Sequence, residues 1–199
     1  MRALVIYCHP VPTSFTAAVR DVVLDRLRRA GAKVALIDLY AEGFQPVLGA
    51  DEFRDYLTPP DAAHPLAAHI AEVRACDTLI FVYPTWWYGM PAMLKGWLDR
   101  VLLPGVAFHL PENAPILPRM THVRRLGVFT TCGASWWLTR FIGAPGRRTL
   151  LRGVRLLCAR RARTAFAAHY DMDRTTDATR TRHLARVGAV MDKLLARGA

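Results

Sequence analysis

Residues Ala3–Cys8 read Ala-Leu-Val-Ile-Tyr-Cys, an apolar run that no charged residue interrupts. A strand wetted on one face alternates polar and apolar residues. One without alternation is buried on both faces, as happens in parallel sheets covered by helices on each side. The run therefore asks for a layered α/β fold rather than a sandwich or a bundle. Lys33–Leu39, Asp77–Tyr83 and Leu126–Thr131 repeat the signature, with Pro84 read as the end of the third run, and Ala162–His169 is a fifth strand. Between the first two strands, Thr16–Ala30 carries Val19, Val22, Val23, Leu27 and Ala30 at helical spacing. Thr13 or Ser14 can cap its start, and Gly31 suits a left-handed turn past its end. Pro65–Ala75, Pro91–Leu103 and Thr176–Ala196 read as further helices, and Gly143–Gly146 as a break. Residues 40–64 and 104–122 are punctuated by prolines and read as loops. Strand–helix–strand repeats require right-handed crossovers, so the expected sheet is parallel with helices on both faces.

A chain of 199 residues suits one α/β domain spanning 1–199. Hydrophobic residues make up 52% and charged ones 22%, which excludes a disordered chain. No run of about 18 uncharged apolar residues is present, so no membrane span is expected, and the short apolar start reads as a strand rather than a signal peptide. Cys8, Cys76, Cys132 and Cys158 form no C-x-x-C pair. They read as buried free thiols in a reducing cytoplasm, and no metal site is expected. Charge is uneven. Residues 119–199 hold 17 Lys+Arg against 4 Asp, hence +13, while residues 1–118 hold 10 against 12, hence −2. The excess is mostly Arg, a residue suited to phosphate and carboxylate forks, but no nucleic-acid recognition motif accompanies it. A solvated Arg-rich surface is the reading preferred over nucleic-acid binding.

In open parallel sheets ligands bind outside the carboxyl ends of the strands, at the switch in strand order. Residues 9–16, 84–90 and 130–136 should meet there. The hydroxyls of Thr13, Ser14 and Thr16 sit at a helix start, where backbone N–H groups and the helix dipole accept a phosphate; His9 can add a donor. No G-x-G-x-x-G or G-x-x-x-x-G-K-[ST] motif appears, which disfavours a dinucleotide-binding Rossmann site or an NTPase. Pro84-Thr85-Trp86-Trp87-Tyr88-Gly89-Met90-Pro91 crowds three large aromatics into a loop, which suits a stacked ring system or a packing partner. Thr131-Cys132-Gly133 lets a ligand approach the backbone, and Trp136-Trp137 adds an aromatic wall.

These residues resemble the flavin-dependent NAD(P)H:quinone oxidoreductases of the flavodoxin-like fold. Four stretches carry the resemblance: His9-Pro10-x-x-Thr13-Ser14-Phe15-Thr16; Asp38-Leu39-Tyr40-Ala41 with Phe44-x-Pro46-Val47; Thr130-Thr131-x-Gly133; and, the longest, Phe81-x-x-Pro84-x-x-Trp87-Tyr88-Gly89-x-Pro91-Ala92-x-Leu94-Lys95-Gly96-Trp97-x-Asp99-Arg100-Val101. It covers residues 1–135 and fades beyond. It implies a doubly wound five-stranded parallel sheet of order 2-1-3-4-5 in a cytoplasmic homodimeric enzyme. Such an enzyme passes hydride from NAD(P)H through a flavin to quinones or related azo and nitro acceptors. FAD is the expected flavin, from the length of the 40–64 loop, with FMN the alternative. The implied cofactor residues are His9, Thr13, Ser14, Phe15 and Thr16 on the phosphate side, Pro84, Thr85, Trp86, Trp87 and Tyr88 along the rings, and Thr131, Cys132 and Gly133 at the polar edge. Phe108 and Trp136 are the expected substrate contacts. The flavin is the expected reactive centre, with His109 a candidate proton donor. Two departures stand out: Trp136–Gly146 lacks the Tyr and His of the mammalian-type members, and the Arg-rich segment 146–163 has no counterpart. A flavin-binding ancillary subunit with little turnover is the second reading.

Overall fold

The first strand, β1 (Arg2–Tyr7), is buried from Ala3 to Tyr7 in the computed structural model, which describes residues 1–196. The last three residues of the expected 1–199 unit lie outside the described residues. β1 pairs in parallel with β2 (Lys33–Asp38), from Arg2 against Lys33 to Tyr7 against Asp38. On its other edge it pairs with β3 (Thr78–Thr85), from Ala3 against Thr78 to Tyr7 against Val82. β4 (Arg125–Cys132) lies beside β3, and β5 (Arg163–His169) beside β4, all parallel. The order is therefore β2-β1-β3-β4-β5, as expected.

Side chains alternate between the two faces. Leu4, Ile6, Leu79 and Phe81 enter one core with α3 (Ala67–Ala75) and α4 (Ala92–Val101). Val5, Tyr7, Ile80 and Val82 enter the other, with α1 (Phe15–Arg29) and α7 (Asp177–Leu195). α4 shows how sequence sets docking: Leu94, Trp97, Leu98 and Val101 recur at i, i+3, i+4 and i+7, and all are buried. Trp97 is fully buried and donates its indole N–H to His69 Nδ1 at 3.2 Å.

Three expectations change. Pro84 does not end β3, which continues to Thr85, with Pro84 opposite Thr131. Val82 offers its carbonyl to Cys8 N–H on the β1 side, so Pro84, two residues on, points its missing N–H the same way, past the end of β1. The 40–64 loop contains α2 (Ala50–Arg54), held by the Arg100–Glu52 ion pair at 2.6 Å. Within 104–122, Phe108–His109 pairs antiparallel with Leu117–Pro118. Beyond β4 lie α5 (Trp136–Phe141) and α6 (Pro145–Arg148). The latter runs on through a π-helical turn (Thr149–Val154) and a last turn (Arg155–Leu157).

The residues after β2 are clamped onto α4 because Gly96 has no side chain. A Cβ there would stand 2.1 Å from the Pro46 carbonyl oxygen and 2.5 Å from its Cα. Both are backbone atoms and cannot step aside. Gly96→Ala should destabilise the chain by about 3 kcal/mol in urea unfolding, at the upper end of overpacking costs. Gly153→Ala, with nothing within 4 Å, should be neutral or slightly stabilising.

Candidate functional site

β1 leads by way of α1 to β2 on one side, and the chain returns to β3 on the other. The two crossovers leave in opposite directions and a crevice opens between them. A cleft of about 690 Å³ occupies that position, within the range of small-molecule sites. Its walls come from all the segments expected to meet: His9, Ser14, Phe15 and Thr16; Pro84, Thr85, Trp86, Trp87 and Tyr88; Thr131, Cys132 and Gly133.

One end of the cleft is built by α1. Ser14 is its N-cap, and its hydroxyl accepts the Ala17 N–H at 3.2 Å, leaving the first N–H groups of the helix pointing outward. Thr16 is buried, and its hydroxyl hydrogen-bonds that of Thr131 at 3.0 Å, tying the start of α1 to the end of β4. Thr85 and Thr130 make the matching hydroxyl contact at 2.8 Å between β3 and β4. His9 Nδ1 stands 3.0 Å from the Val11 N–H and 3.1 Å from the Val11 carbonyl oxygen, so Val11 anchors the ring at the cleft. Burial lowers the His9 pKa, with its Val11 contact opposing, so the ring is a neutral N–H donor.

The aromatic wall is a tight turn. Trp86 N–H donates to the Gly89 carbonyl at 3.2 Å, and Gly89 N–H to the Trp86 carbonyl at 3.0 Å. The two residues between them, Trp87 and Tyr88, have φ of 48° and 61°. This is the left-handed region, where turns of this kind favour Asn and Gly, and each bulky residue there costs about 1–2 kcal/mol. Trp87 is 94% exposed, so no packing within the chain offsets its strain. Gly146 buttresses the turn from behind: a Cβ there would lie 3.2 Å from the Gly89 carbonyl carbon and 3.2 Å from the Tyr83 hydroxyl.

Several expected residues stand elsewhere. Thr13 lies in the 9–14 loop but does not line the cleft. Phe108 packs against the α3–α4 core, and His109 is exposed beside it. Both follow α4, which carries the chain back antiparallel to the strands and away from their carboxyl ends. Trp136 lines a neighbouring cavity instead. Residues 48–65 line a separate cavity against Arg100 and Leu103, so the long loop adds nothing to the cleft. Ala134, Met172 and Asp173 line the cleft unanticipated, with Asp173 Oδ2 3.4 Å from where a Gly133 Cβ would sit. Their signal was strand order: β5 beside β4 delivers residues 170–174 to the same edge.

Behind Phe15, His169 and His183 stack edge to face at 5.1 Å, both buried, and Phe15 packs on them at 5.3 and 5.9 Å. Burial, then His169 and Arg186, push His183 down to about 4. This cluster packs Phe15, the first residue of α1, against β5 and α7. All four cysteines are buried free thiols, with Cys8 pushed up to about 12 by burial. Among the described residues no helix is long and apolar enough to cross a membrane.

Residues 1–187 match a family described by its flavodoxin-like fold. Ribosyldihydronicotinamide dehydrogenase [quinone] of Pongo abelii is 35% identical over 126 residues, 55% of this chain and 54% of that protein. The chain thus spans about half the length of the curated relatives it matches. Over nearly the whole chain (97%, and 100% of the other), the structure of Smu.1420 from Streptococcus mutans UA159 superimposes with a TM-score of 0.84 at 28% identity. An NAD(P)H:quinone oxidoreductase from Methanothermobacter marburgensis superimposes with a TM-score of 0.79, covering 100% of this chain and 99% of that one. At 23% identity, that likeness is one of fold.

Two outcomes follow from this geometry. A Trp87→Gly chain should be more stable by about 1 kcal/mol in urea unfolding, because it sheds left-handed strain that no contact repays. The His183 imidazole binds its proton near pH 6.5 when unfolded but near 4 when folded. Its stabilising contribution is therefore complete above pH 6.5 and declines towards pH 4, a loss of roughly 3 kcal/mol. His183→Phe should flatten that part of the stability–pH curve.

Proposed function

The chain belongs to the flavodoxin-like fold family, and on that premise we propose that it is a flavin-dependent oxidoreductase carrying hydride from NAD(P)H to quinones or related azo and nitro acceptors. The observation that carries this reading is the left-handed turn Trp86–Gly89. It spends conformational energy to hold aromatic rings in the wall of a cleft, and one of those rings has no partner in its own chain.

The residues present suit a flavin. The outward N–H groups of α1 and the His9 imidazole match a phosphate. Trp86, Trp87 and Tyr88 offer flat surface to a ring system, and Gly133 leaves its backbone approachable. When bound, the flavin supplies the two-electron chemistry; the chain's part is to hold, orient and shield. The Thr16–Thr131 and Thr85–Thr130 hydroxyl pairs keep the three walls in register. The aromatic turn would lie along the ring face. His9 is the neutral N–H donor lining the cleft, and Asp173 brings a carboxylate to its rim.

In the finer reading the protein is a cytoplasmic homodimer that holds FAD or FMN, and since the 40–64 loop lines a separate cavity it gives FAD no advantage. The exposed Trp87, Trp136, Trp137 and Phe141 supply the apolar surface for pairing. His109, outside the cleft, favours a second reading, a flavin-binding ancillary subunit with little turnover. The test is to purify the chain with its flavin, identify that flavin by extraction, and follow NADH- or NADPH-driven reduction of menadione. Turnover above about 1 s⁻¹ is expected of an enzyme of this class. Bound flavin without turnover selects the ancillary reading, and a chain that takes up neither FAD nor FMN overturns both.

A further inference from the structure

The Arg-rich segment, with α5 and β5, builds a second cavity, of about 480 Å³, beside the cleft. Arg140 of α5, Arg147 and Arg148 of α6, and Arg152 of the π-helical turn converge on it, with Thr164 and Tyr170 of the β5 edge opposite. No Asp or Glu lines it. Some other arginines are paired with carboxylates, as Arg2 is with Glu72, Arg26 with Asp192 and Arg100 with Glu52. Among the described residues, none of the four in the cavity has a carboxylate partner. Two are steered by aromatic faces, which position a guanidinium without cancelling its charge. Arg147 stands 4.6 Å from the Phe166 ring centroid and Arg140 5.8 Å from that of Trp136. Gly143, at φ 96°, leaves the space that the Arg148 guanidinium occupies; a Cβ there would lie 3.1 Å from its Nη1.

The cavity adjoins the cleft. Between them lies a void of about 20 Å³, walled by Thr85, Tyr88 and Cys132, which line the cleft, and by Thr139, Arg147 and Tyr170, which line the Arg cavity, so the two hollows share a wall.

Four uncompensated guanidiniums exceed what a carboxylate or a phosphodiester can satisfy, since each of those carries one charge and two free oxygens. A phosphate monoester carries up to two charges on three terminal oxygens, enough for more than one bidentate fork. We propose that this cavity binds the 2′-phosphate of the nicotinamide dinucleotide, making Arg147, Arg148 and Arg152 the residues that select NADPH over NADH. The inference rests on the oxidoreductase reading above, and it names the reductant for that site.

The test has a binding arm and a kinetic arm. The flavin-loaded full chain is titrated calorimetrically with adenosine 2′-monophosphate, adenosine and inorganic phosphate, at low and at high salt. The same is done for Arg148→Ala/Arg152→Ala, for Arg148→Lys/Arg152→Lys and for Arg161→Ala, whose side chain lines a different surface. Adenosine 2′-monophosphate should bind and adenosine should not, and affinity should fall with salt. The double Ala variant should lose about tenfold or more in that affinity and in the NADPH:NADH ratio of kcat/KM. The double Lys variant should fall between, because it keeps charge and loses the forks. Arg161→Ala should leave both quantities where they were. Equal losses for NADH and NADPH, an unaltered adenosine 2′-monophosphate affinity in the double Ala variant, or binding of inorganic phosphate alone would each overturn the proposal. A chain that oxidises neither dinucleotide sinks the oxidoreductase reading, and with it the assignment of this cavity to a reductant.

Discussion

β1 has no wet face from Ala3 to Tyr7 and no free edge, pairing with β2 on one side and β3 on the other. That double burial is the constraint from which the rest follows. Helices must cover both faces, because either face left bare would expose Leu4 and Ile6 or Val5 and Tyr7. Right-handed crossovers then send α1 to one face and α3 with α4 to the other. The carboxyl end of β1 becomes the place where the two connections diverge, and the 690 Å³ cleft is the space between them.

What fills that space with chemistry is local and energetically opposed to stability. The Ser14 cap contributes about 1 kcal/mol to α1, and it also keeps the helix start aimed at the cleft. The Trp87–Tyr88 turn costs more than such a cap returns, and Trp87 gains nothing from its own chain. Strain retained without local compensation is the mark of a segment shaped by a ligand or a partner. The hydroxyl pairs beneath it point the same way. Thr16 meets Thr131 and Thr85 meets Thr130, so polar groups near the cleft floor satisfy one another and leave the walls rigid.

Sequence legibility divided along the same line. The strands were plain because period-free apolar runs have one structural use, and their order followed from the family resemblance. The cleft walls at His9–Thr16, Pro84–Tyr88 and Thr131–Gly133 were legible because each begins where a buried strand ends. Phe108, His109 and Trp136 stand outside the cleft, because their position depends on how α4 and α5 turn the chain, which local pattern does not encode. Met172 and Asp173 were missed because β5 was located without asking what its carboxyl end would reach. The continuation of β3 through Pro84 needed the length of β1, a fact about the neighbour rather than about β3. The Arg cavity was visible in sequence only as surplus charge; its concavity comes from folding Arg140 to Arg152 around the break at Gly143–Gly146.

The central claim is that the Trp86–Gly89 turn is strained in order to stack a flat ring system. Titrating FMN and FAD into the flavin-free chain and following flavin fluorescence tests it most directly, since stacking on Trp and Tyr quenches that emission. Saturable quenching at one flavin per chain is expected, weakened about tenfold or more when Trp86 and Tyr88 are both replaced by Gly, each lost aromatic stack being worth roughly 0.5–1.5 kcal/mol beyond its buried area. Full quenching in that variant, or none in the parent chain with either flavin, would contradict the claim.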